Sequence, residues 1–305
     1  MRVLITGGTG TIGRRLTDLL LKEGYEVTIL SRKALKPARL PTKVTFLQWD
    51  GKTAKGWGNH LDAVDAVVNL AGAGIADERW TAERKKLILN SRVNAGQAVV
   101  EAFELVSQKP QVLIQASGVN YYGMDQEKAF TEADGPGHDF LAEVCIHWEA
   151  ATAPVEAMGV RRVIIRTGAV LDPAEGALPK LAMPVRFFIG GPLGSGRQWL
   201  SWIHYADEIG AIKFLIETEA ARGPINLTSP QPVRNKELAQ AIGRVLHRPA
   251  IMPAPGLAVK LMVGELADVV LEGQKVVPAA LQRLGYSFQY PQLDAALKNL
   301  LRTGH

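Results

Sequence analysis

Short apolar runs alternate with longer amphipathic stretches along the first part of this 305-residue chain. The short runs are typical of buried strands, whereas the longer stretches repeat apolar residues at the spacing of a helix. Strands are predicted at residues 3–5, 26–30, 44–48, 65–70, 112–116, 162–166 and 224–227. Helices are predicted from residue 16, at 81–105, 140–158 and 235–246, and from near residues 206 and 293.

This alternation predicts a parallel sheet with right-handed crossovers, and hence an α/β fold of the doubly wound Rossmann type. After Val170 the alternation gives way to a stretch rich in Gly and Pro. We therefore assign residues 1–170, completed by residues 201–228, to a Rossmann domain. Residues 171–200 and 229–305 are predicted to form a smaller C-terminal cap, which would cover the strand ends where such folds bind substrate.

The first predicted strand runs into a glycine turn of the form G-x-x-G-x-x-G. Glycines let the backbone turn tightly and approach a pyrophosphate, which then lies on the free N–H groups at the start of the next helix. Such a pattern also occurs in ordinary turns, but this one lies between a strand and a helix and is followed by a second strand. We therefore predict a dinucleotide site that includes Gly7, Gly10, Thr11, Ile12 and Gly13.

The end of the second strand distinguishes the two nicotinamide dinucleotides. An Asp or Glu there would bind the ribose 2′-hydroxyl of NAD, whereas a 2′-phosphate needs cations. Ser31 and Arg32 occupy this position, and no acidic residue follows before Lys43. A guanidinium binds phosphate oxygens in a fork, and a hydroxyl adds a further bond. A solvated basic loop explains the later cations, but Ser31 and Arg32 predict NADP(H) as the cofactor.

Two further strand ends are assigned to the cofactor surface. The fourth strand ends in Leu70, Ala71 and Gly72, and its small residues would let the backbone pass close beside a bound ribose or nicotinamide. Val170 follows the sixth strand and is assigned to the same surface.

Composition narrows the class of protein. The formal net charge of +5 is mildly basic, and the chain lacks the Lys/Arg runs interleaved with aromatics that a nucleic-acid surface would show. The single cysteine excludes an internal disulfide framework and suits a reducing cytosol. No cleavable leader is visible, and Pro and charged residues interrupt the apolar stretch 251–270. We expect a cytoplasmic protein with a small-molecule substrate and no nucleic-acid or membrane partner, and leave a homodimer open.

Several separated motifs together resemble extended short-chain dehydrogenase/reductases. They are the glycine turn, residues 69–72, Tyr122-Gly123, residues 166–170 and residues 202–204. Other segments look like an atypical branch called epimerase family proteins, which includes YfcH-like bacterial proteins. These are residues 190–198, Ser91-Arg92, Trp148-Glu149, and residues 246–249 and 272–275. The resemblance runs from Met1 to about residue 300, and it implies a Rossmann domain, NADP(H) binding and a characteristic C-terminal domain.

The same resemblance shows that a catalytic pair is missing. Short-chain reductases use a Tyr-x-x-x-Lys pair, whose lysine depresses the tyrosine pKa and holds the nicotinamide ribose. Counted from Glu149, the lysine position falls on Cys145 and the tyrosine position on Leu141. The standard mechanism is therefore expected to be absent. Tyr122 and Ser117 are the candidate catalytic replacements, with a scaffold role for the first and a loop cap for the second as alternatives.

Four other side chains are weighed for roles in the site. Arg92 replaces the family's helix asparagine by spacing, so we expect its guanidinium to bind a phosphate or a substrate oxygen. Arg197 is assigned to the substrate's phosphate, and His204 to the substrate site, with a scaffold role as its alternative. Cys145 is expected to be an inert small hydrophobe. The histidines are dispersed and the cysteine has no partner, so no metal is predicted.

Two functions of different classes follow. The first is an NADP(H)-dependent oxidoreductase or epimerase-like enzyme that lacks the usual Tyr-x-x-x-Lys pair and acts on a sugar nucleotide or another anionic carbonyl or hydroxyl compound. The second is a non-catalytic NADP(H)-binding redox sensor or scaffold. The missing pair favours the second, whereas the glycine-rich and tryptophan-lined cap favours the first, because a sensor needs no deep substrate cleft.

Overall fold

A computed structural model of the chain describes residues 1–302. The strands are β1 (Arg2–Thr6), β2 (Glu26–Ser31), β3 (Thr45–Gln48), β4 (Ala66–Asn69), β5 (Val112–Gly118), β6 (Asp125–Phe130), β7 (Arg161–Thr167), β8 (Ala169–Leu171), β9 (Trp199–Leu200), β10 (Trp202–His204), β11 (Gly223–Leu227), β12 (Val233–Arg234) and β13 (Gln274–Val276). The helices are α1 (Thr11–Lys22), α2 (Ala82–Leu105), α3 (Phe140–Ala150), α4 (Ala177–Arg186), α5 (Tyr205–Glu217), α6 (Asn235–Leu246), α7 (Gly256–Val263), α8 (Leu266–Leu271), α9 (Ala279–Arg283) and α10 (Leu293–Arg302). Short 3-10 turns cover Gly58–Ala63, Val119–Tyr122 and Ala153–Met158.

Seven of these strands form one parallel sheet in the order β11-β7-β5-β4-β1-β2-β3. The order reverses beside β1, with β2 and β3 on one side and β4 on the other. In open sheets of this kind the ligand crevice lies at the carboxyl ends of the strands where the order reverses. The predicted doubly wound α/β fold of the Rossmann type is confirmed.

The sheet is buried on both faces, which explains why its strands are continuous apolar runs. In β1, Val3 and Ile5 pack in the core layer that contains α1 and α5, whereas Leu4 packs in the layer that contains α2. Alternate residues of a strand point to opposite faces, so each layer receives every second side chain. The carboxyl ends are thereby held rigidly between two helical layers.

The C-terminal segments form a smaller core of their own, around Leu171 and Trp202, with α4, α6 and α10. Strand pairing and hydrogen bonds also join these C-terminal segments to the Rossmann part of the chain. Strand β13 pairs with β6, and the Ser201 hydroxyl, beside β10, donates to the carbonyl of Gln274 at 2.8 Å. The buried Asp207 carboxylate in α5 accepts hydrogen bonds from backbone N–H groups at positions 289 and 290. The boundaries of the cap within the chain stay a prediction.

Some elements differ from those predicted. The helix predicted at 140–158 ends at Ala150, and the 3-10 turn that follows has Pro154 in its first turn, where a missing N–H is tolerated. Helix α4 was not predicted, because Pro179 and Pro184 suggested a loop, yet Pro179 lies in the first helical turn. Strands β6 and β13 pair across the chain and lack apolar alternation of their own.

A buried ion pair joins β7 to α3 beneath the strand ends. Arg166 donates from Nε to Glu149 Oε1 and from Nη2 to Oε2, both at 2.9 Å. Ser117 of β5 donates to Glu149 at 2.7 Å, and Arg166 Nη1 donates to the Tyr122 hydroxyl at 3.1 Å. Tyr122 in turn donates to Asn226 of β11 at 2.7 Å. We call this set the buried network; it links three sheet strands, α3 and the Val119–Tyr122 turn.

We predict that the buried network is a major source of stability. Glu149→Ala should lower the free energy of unfolding by about 3–5 kcal/mol, because it leaves the Arg166 guanidinium buried without its counter-charge. The double variant Glu149→Leu with Arg166→Met should regain most of that loss in urea titrations, since it removes both charges. Glu156→Ala, which breaks the more exposed Arg162–Glu156 pair, is the control and should cost less than about 1 kcal/mol. Equal losses in all three proteins would contradict the prediction.

Candidate functional site

The glycine turn connects β1 to α1 at the centre of the crevice. Gly7 has a φ of +67°, which favours glycine, and the Gly10 N–H donates to the Gly7 carbonyl at 3.0 Å. Gly10 precedes α1, whose start has neither a side-chain cap nor an acidic residue in its first turn. The first N–H groups of α1 are thus available to an anion, and the helix dipole favours negative charge there.

The other two glycines of the G-x-x-G-x-x-G turn, Gly10 and Gly13, have different surroundings. A Cβ on Gly10 would approach only the Gly7 carbonyl oxygen, at 3.3 Å. A Cβ on Gly13 would lie 2.6 Å from that oxygen and 2.6 Å from the Gly8 Cα, inside the packed turn. The space beside Gly10 therefore belongs to the crevice, whereas Gly13 is needed for close packing of α1 on the strand.

A cavity of about 780 Å³ runs along this crevice. Its floor is the glycine turn, one end is basic, and the other is built from small residues that follow β4. Of the predicted cofactor residues, the cavity is lined by Gly7, Gly10, Ser31, Arg32, Leu70, Ala71 and Gly72. Thr11 and Ile12 lie beside the turn instead, and the Thr11 hydroxyl donates to Glu175. Val170 lies in β8, paired with β10, and is not among the lining residues.

The basic end contains more cations than the sequence had indicated. Arg32 lies along Gly51, with its Cδ 3.5 Å from where a Cβ on that glycine would be. Lys33 and Lys52 line the same end. The sequence prediction missed Lys52 because it follows β3, and only the pairing of β3 with β2 brings it beside Arg32. A 2′-phosphate would find a hydroxyl, a guanidinium and two ammonium groups within this wall.

Arg92 lies beneath the loop at the other end of the cavity. Its Nη1 donates to the carbonyls of Ala73 and Ile88, both at 2.9 Å, and its Cζ lies 4.7 Å from the centre of the Trp148 ring. A Cβ on Gly72 would lie 3.1 Å from this Cζ, so glycine leaves room for the guanidinium. Burial lowers the Arg92 pKa to about 10, which keeps it charged at neutral pH.

No described carboxylate pairs with Arg92, and within residues 1–302 its Nε and Nη2 make no hydrogen bond. It is only 9% exposed. A nearly buried cation without a counter-charge is costly, and a ligand's anionic oxygen would offset that cost.

Helix α3 offers no acid–base pair at the positions that the resemblance identifies. Leu141 and Cys145 are both buried. The Cys145 thiol contacts the Gly118 carbonyl at 3.7 Å, and burial raises its pKa to about 11. The thiol is therefore protonated at neutral pH and is a poor nucleophile.

Tyr122 and Ser117, the predicted catalytic replacements, both lie in the buried network. Tyr122 is 3% exposed, its ring stacks on Phe130, and its proton is donated to Asn226 in the buried network. Burial raises its pKa to about 12, the opposite of the shift that an acid–base tyrosine needs. The Ser117 proton is likewise donated to Glu149. Both hydroxyl protons are thus engaged in the buried network, and a catalytic role for either side chain stays a prediction.

The two predicted substrate residues have different environments. Arg197 is exposed, at the end of the glycine-rich loop, and its carbonyl accepts a hydrogen bond from Arg234. His204 is enclosed: its ring stacks on Tyr205 and on Tyr290, and Nδ1 accepts from the Ala206 N–H at 3.0 Å. Its Nε2 lies 3.1 Å from Asn299 Oδ1. Burial lowers the His204 pKa to about 4. Both ring nitrogens are thus engaged, and His204 caps the start of α5, so its role in substrate binding stays a prediction.

Residues 1–302 contain no cluster of three or more His, Cys, Asp or Glu side chains arranged to hold a metal ion. None of the helices described has the length and apolar character needed to cross a bilayer.

Comparison with known proteins agrees with the geometry. Residues 3–227 match the NAD dependent epimerase/dehydratase family, and residues 254–300 match a domain of unknown function, DUF1731. An epimerase family protein of Staphylococcus saprophyticus is 40% identical over 299 residues, which cover 98% of each chain.

Two solved structures are similar over 99% of this chain. The human epimerase family protein SDR39U1, solved with NADPH, is 36% identical with a TM-score of 0.91, and all of its chain is covered. A nucleoside-diphosphate sugar epimerase from Corynebacterium glutamicum is 34% identical with a TM-score of 0.79, and 58% of its chain is covered. The cofactor predicted from Ser31 and Arg32 is the one in the human structure. The resemblance is confirmed: the chain belongs to the NAD dependent epimerase/dehydratase family, among the epimerase family proteins.

Proposed function

We propose that this protein binds NADP(H) and uses it in an oxidoreductase or epimerase-like reaction on an anionic substrate. The observation that carries the proposal is the continuous cavity, with cations at the β2 end and the unpaired Arg92 guanidinium beneath the opposite end. The groups fit the cofactor: α1 presents free N–H groups to a pyrophosphate, and Ser31, Arg32 and Lys52 surround the place of a 2′-phosphate. The NADPH bound by the human relative supports the same assignment.

Arg92 is the chain's candidate for stabilising charge in this reaction. When bound, the nicotinamide ring supplies or accepts a hydride. The Nε and Nη2 atoms of Arg92 would donate to the substrate oxygen on which negative charge develops, and such donors are most effective where water is excluded. Because Tyr122 and Ser117 are engaged in the buried network, we assign proton transfer to solvent at the cleft mouth.

For the substrate we propose an anionic compound such as a sugar nucleotide. Arg197 is exposed at the end of the glycine-rich loop, and the charged groups of Arg234 and Lys275 lie 3.8 and 4.9 Å from the centre of a Trp199 ring. These cations would attract a diphosphate. The name of the Corynebacterium relative supports this substrate class.

A non-catalytic NADP(H) sensor is the second candidate. It is favoured by one observation: the acid–base positions on α3 are occupied by the buried Leu141 and Cys145. A protein of this kind would keep the cofactor cavity and its Arg32 end without turning over a substrate.

The first test concerns cofactor choice. Calorimetry should show that NADPH binds more tightly than NADH, by roughly 1.5–3 kcal/mol for the charge-assisted contacts to the 2′-phosphate. Arg32→Asp should reverse that order, because an acid there repels the phosphate and accepts a bond from a 2′-hydroxyl. Lys43→Asp, on the same loop but outside the cavity lining, should change neither affinity much. Equal affinities in the unmodified protein would refute the NADP(H) assignment.

A matched pair of glycine variants tests where the pyrophosphate lies. Gly10→Val should abolish NADPH binding with little loss of thermal stability, because its side chain projects into the crevice. Gly13→Val should instead destabilise the fold, since its Cβ would collide with the backbone of the turn. A well-folded Gly10→Val protein with unchanged NADPH affinity would place the cofactor elsewhere.

The third test separates an enzyme from a sensor. Sugar nucleotides and other carbonyl compounds would be screened for changes in NADPH absorbance. With a reactive compound, Arg92→Ala should lower turnover by roughly 10²–10³-fold, as loss of an oxyanion donor does, with NADPH affinity nearly unchanged. Tyr122→Phe should retain turnover but lose thermal stability. If no compound consumes NADPH although it binds, the enzyme proposal fails and the sensor stands.

A further inference from the structure

The end of α4 exposes large apolar side chains. Met183, Phe187, Phe188 and Ile189 are each more than half exposed. Phe188 also has a φ of +64°, a conformation that is uncommon for residues other than glycine and is a mild strain. Exposure and strain both cost stability, so a feature that carries both calls for a functional reason.

A second exposed apolar segment follows α6. Ile251, Met252, Leu257, Leu261 and Met262 are also more than half exposed. Helix α7 is largely exposed, because Val259 is its single buried residue. The leucines at positions 257 and 261 are one helical turn apart and share a face.

Backbone hydrogen bonds join these two segments. The Met252 N–H donates to the Gly190 carbonyl at 3.2 Å, and the Gly194 N–H donates to the Ala254 carbonyl at 2.9 Å. Residues 183–189 and 251–262 therefore form one surface, which we call the basic apolar face. Nine of the 14 exposed large hydrophobic residues in the described part of the chain belong to it, so it is a patch and not scattered exposure.

The charges within these two segments are all positive, although Lys260 among them is paired with Asp268 of the neighbouring α8. Residues 176–206 and 238–264 contain no Asp or Glu, although they carry Lys180, Arg186, Arg248 and Lys260. The Arg248 guanidinium lies 4.8 Å from the centre of the Phe188 ring, so cation and apolar residue are adjacent. On the neighbouring α8 and just before it, Asp268 and Glu265 are ion-paired with Lys260 and Lys85.

We propose that the basic apolar face docks on an anionic phospholipid surface. An outward helix with apolar residues and flanking cations suits the headgroup boundary, where apolar side chains insert and cations meet lipid phosphates. A second copy of the chain, placed on the same face, would bring the cations of one face against the cations of the other. This docking departs from the expectation of no membrane partner, which rested on the lack of a spanning segment.

Vesicle sedimentation tests the docking. The intact protein should bind vesicles of phosphatidylcholine with about one third phosphatidylglycerol and bind pure phosphatidylcholine at least tenfold more weakly. The double variant Leu257→Ser with Leu261→Ser should lose at least tenfold of the binding to anionic vesicles, and so should Arg248→Glu. Leu35→Ser, an equally exposed leucine outside the face, is the matched control and should bind normally. NADPH affinity and thermal unfolding of each variant would confirm that the fold is retained.

Three results would overturn the proposal. One is failure of the unmodified protein to bind anionic vesicles. Another is equal vesicle binding by the unmodified protein and the double leucine variant. The third is light scattering that shows a dimer abolished by the leucine variants, with no binding to vesicles, which would make a second copy the occupant.

Discussion

The pairing of Arg166 with Glu149 is the interaction on which the functional end of this molecule depends. Two charges are removed from water there, and the cost is offset by the two hydrogen bonds between them and by the hydroxyls that bond to the pair. Ser117, Tyr122 and Asn226 are recruited for that purpose. The strand ends that border the cofactor crevice are therefore held in place by this ion pair and its hydrogen bonds, as well as by the apolar layers on the two faces of the sheet.

This arrangement accounts for the contrast between the two halves of the site. The half that would hold the adenosine, with Ser31, Arg32 and the glycine turn, is open and basic. The half beside α3 contains buried side chains that carry no charge, among them Leu141 and Cys145. Because Tyr122 and Ser117 are bonded within the buried network, both candidate proton donors are held in the scaffold. Arg92 is left as the single buried cation near the cavity without a described counter-charge, which makes it the natural focus for chemistry.

The fold could be predicted from sequence because strands buried on both faces are unmistakable apolar runs, and the glycine turn locates the crevice. Local sequence signals also identified Ser31 and Arg32 as candidate cofactor-binding residues. Lys52 was missed because it reaches the site through the pairing of β3 with β2, which no local pattern encodes. The surroundings of Tyr122 were hidden for a related reason: its position after β5 is visible in the sequence, but the direction of its hydroxyl depends on Arg166 and Asn226, 44 and 104 residues away.

The ties between the late segments and the sheet have a consequence for how the chain holds together. Two family profiles follow one another along this sequence, one ending at residue 227 and the other beginning at residue 254. Hydrogen bonds cross that division. Asn226 donates to the carbonyl of Val277, the Ser201 hydroxyl bonds to the backbone of residues 274 and 276, and the Asp207 carboxylate accepts from the N–H groups of residues 289 and 290. A chain cut between the profiles would leave a buried carboxylate and several buried donors without partners. We therefore expect the regions matched by the two profiles to unfold together, as one cooperative unit.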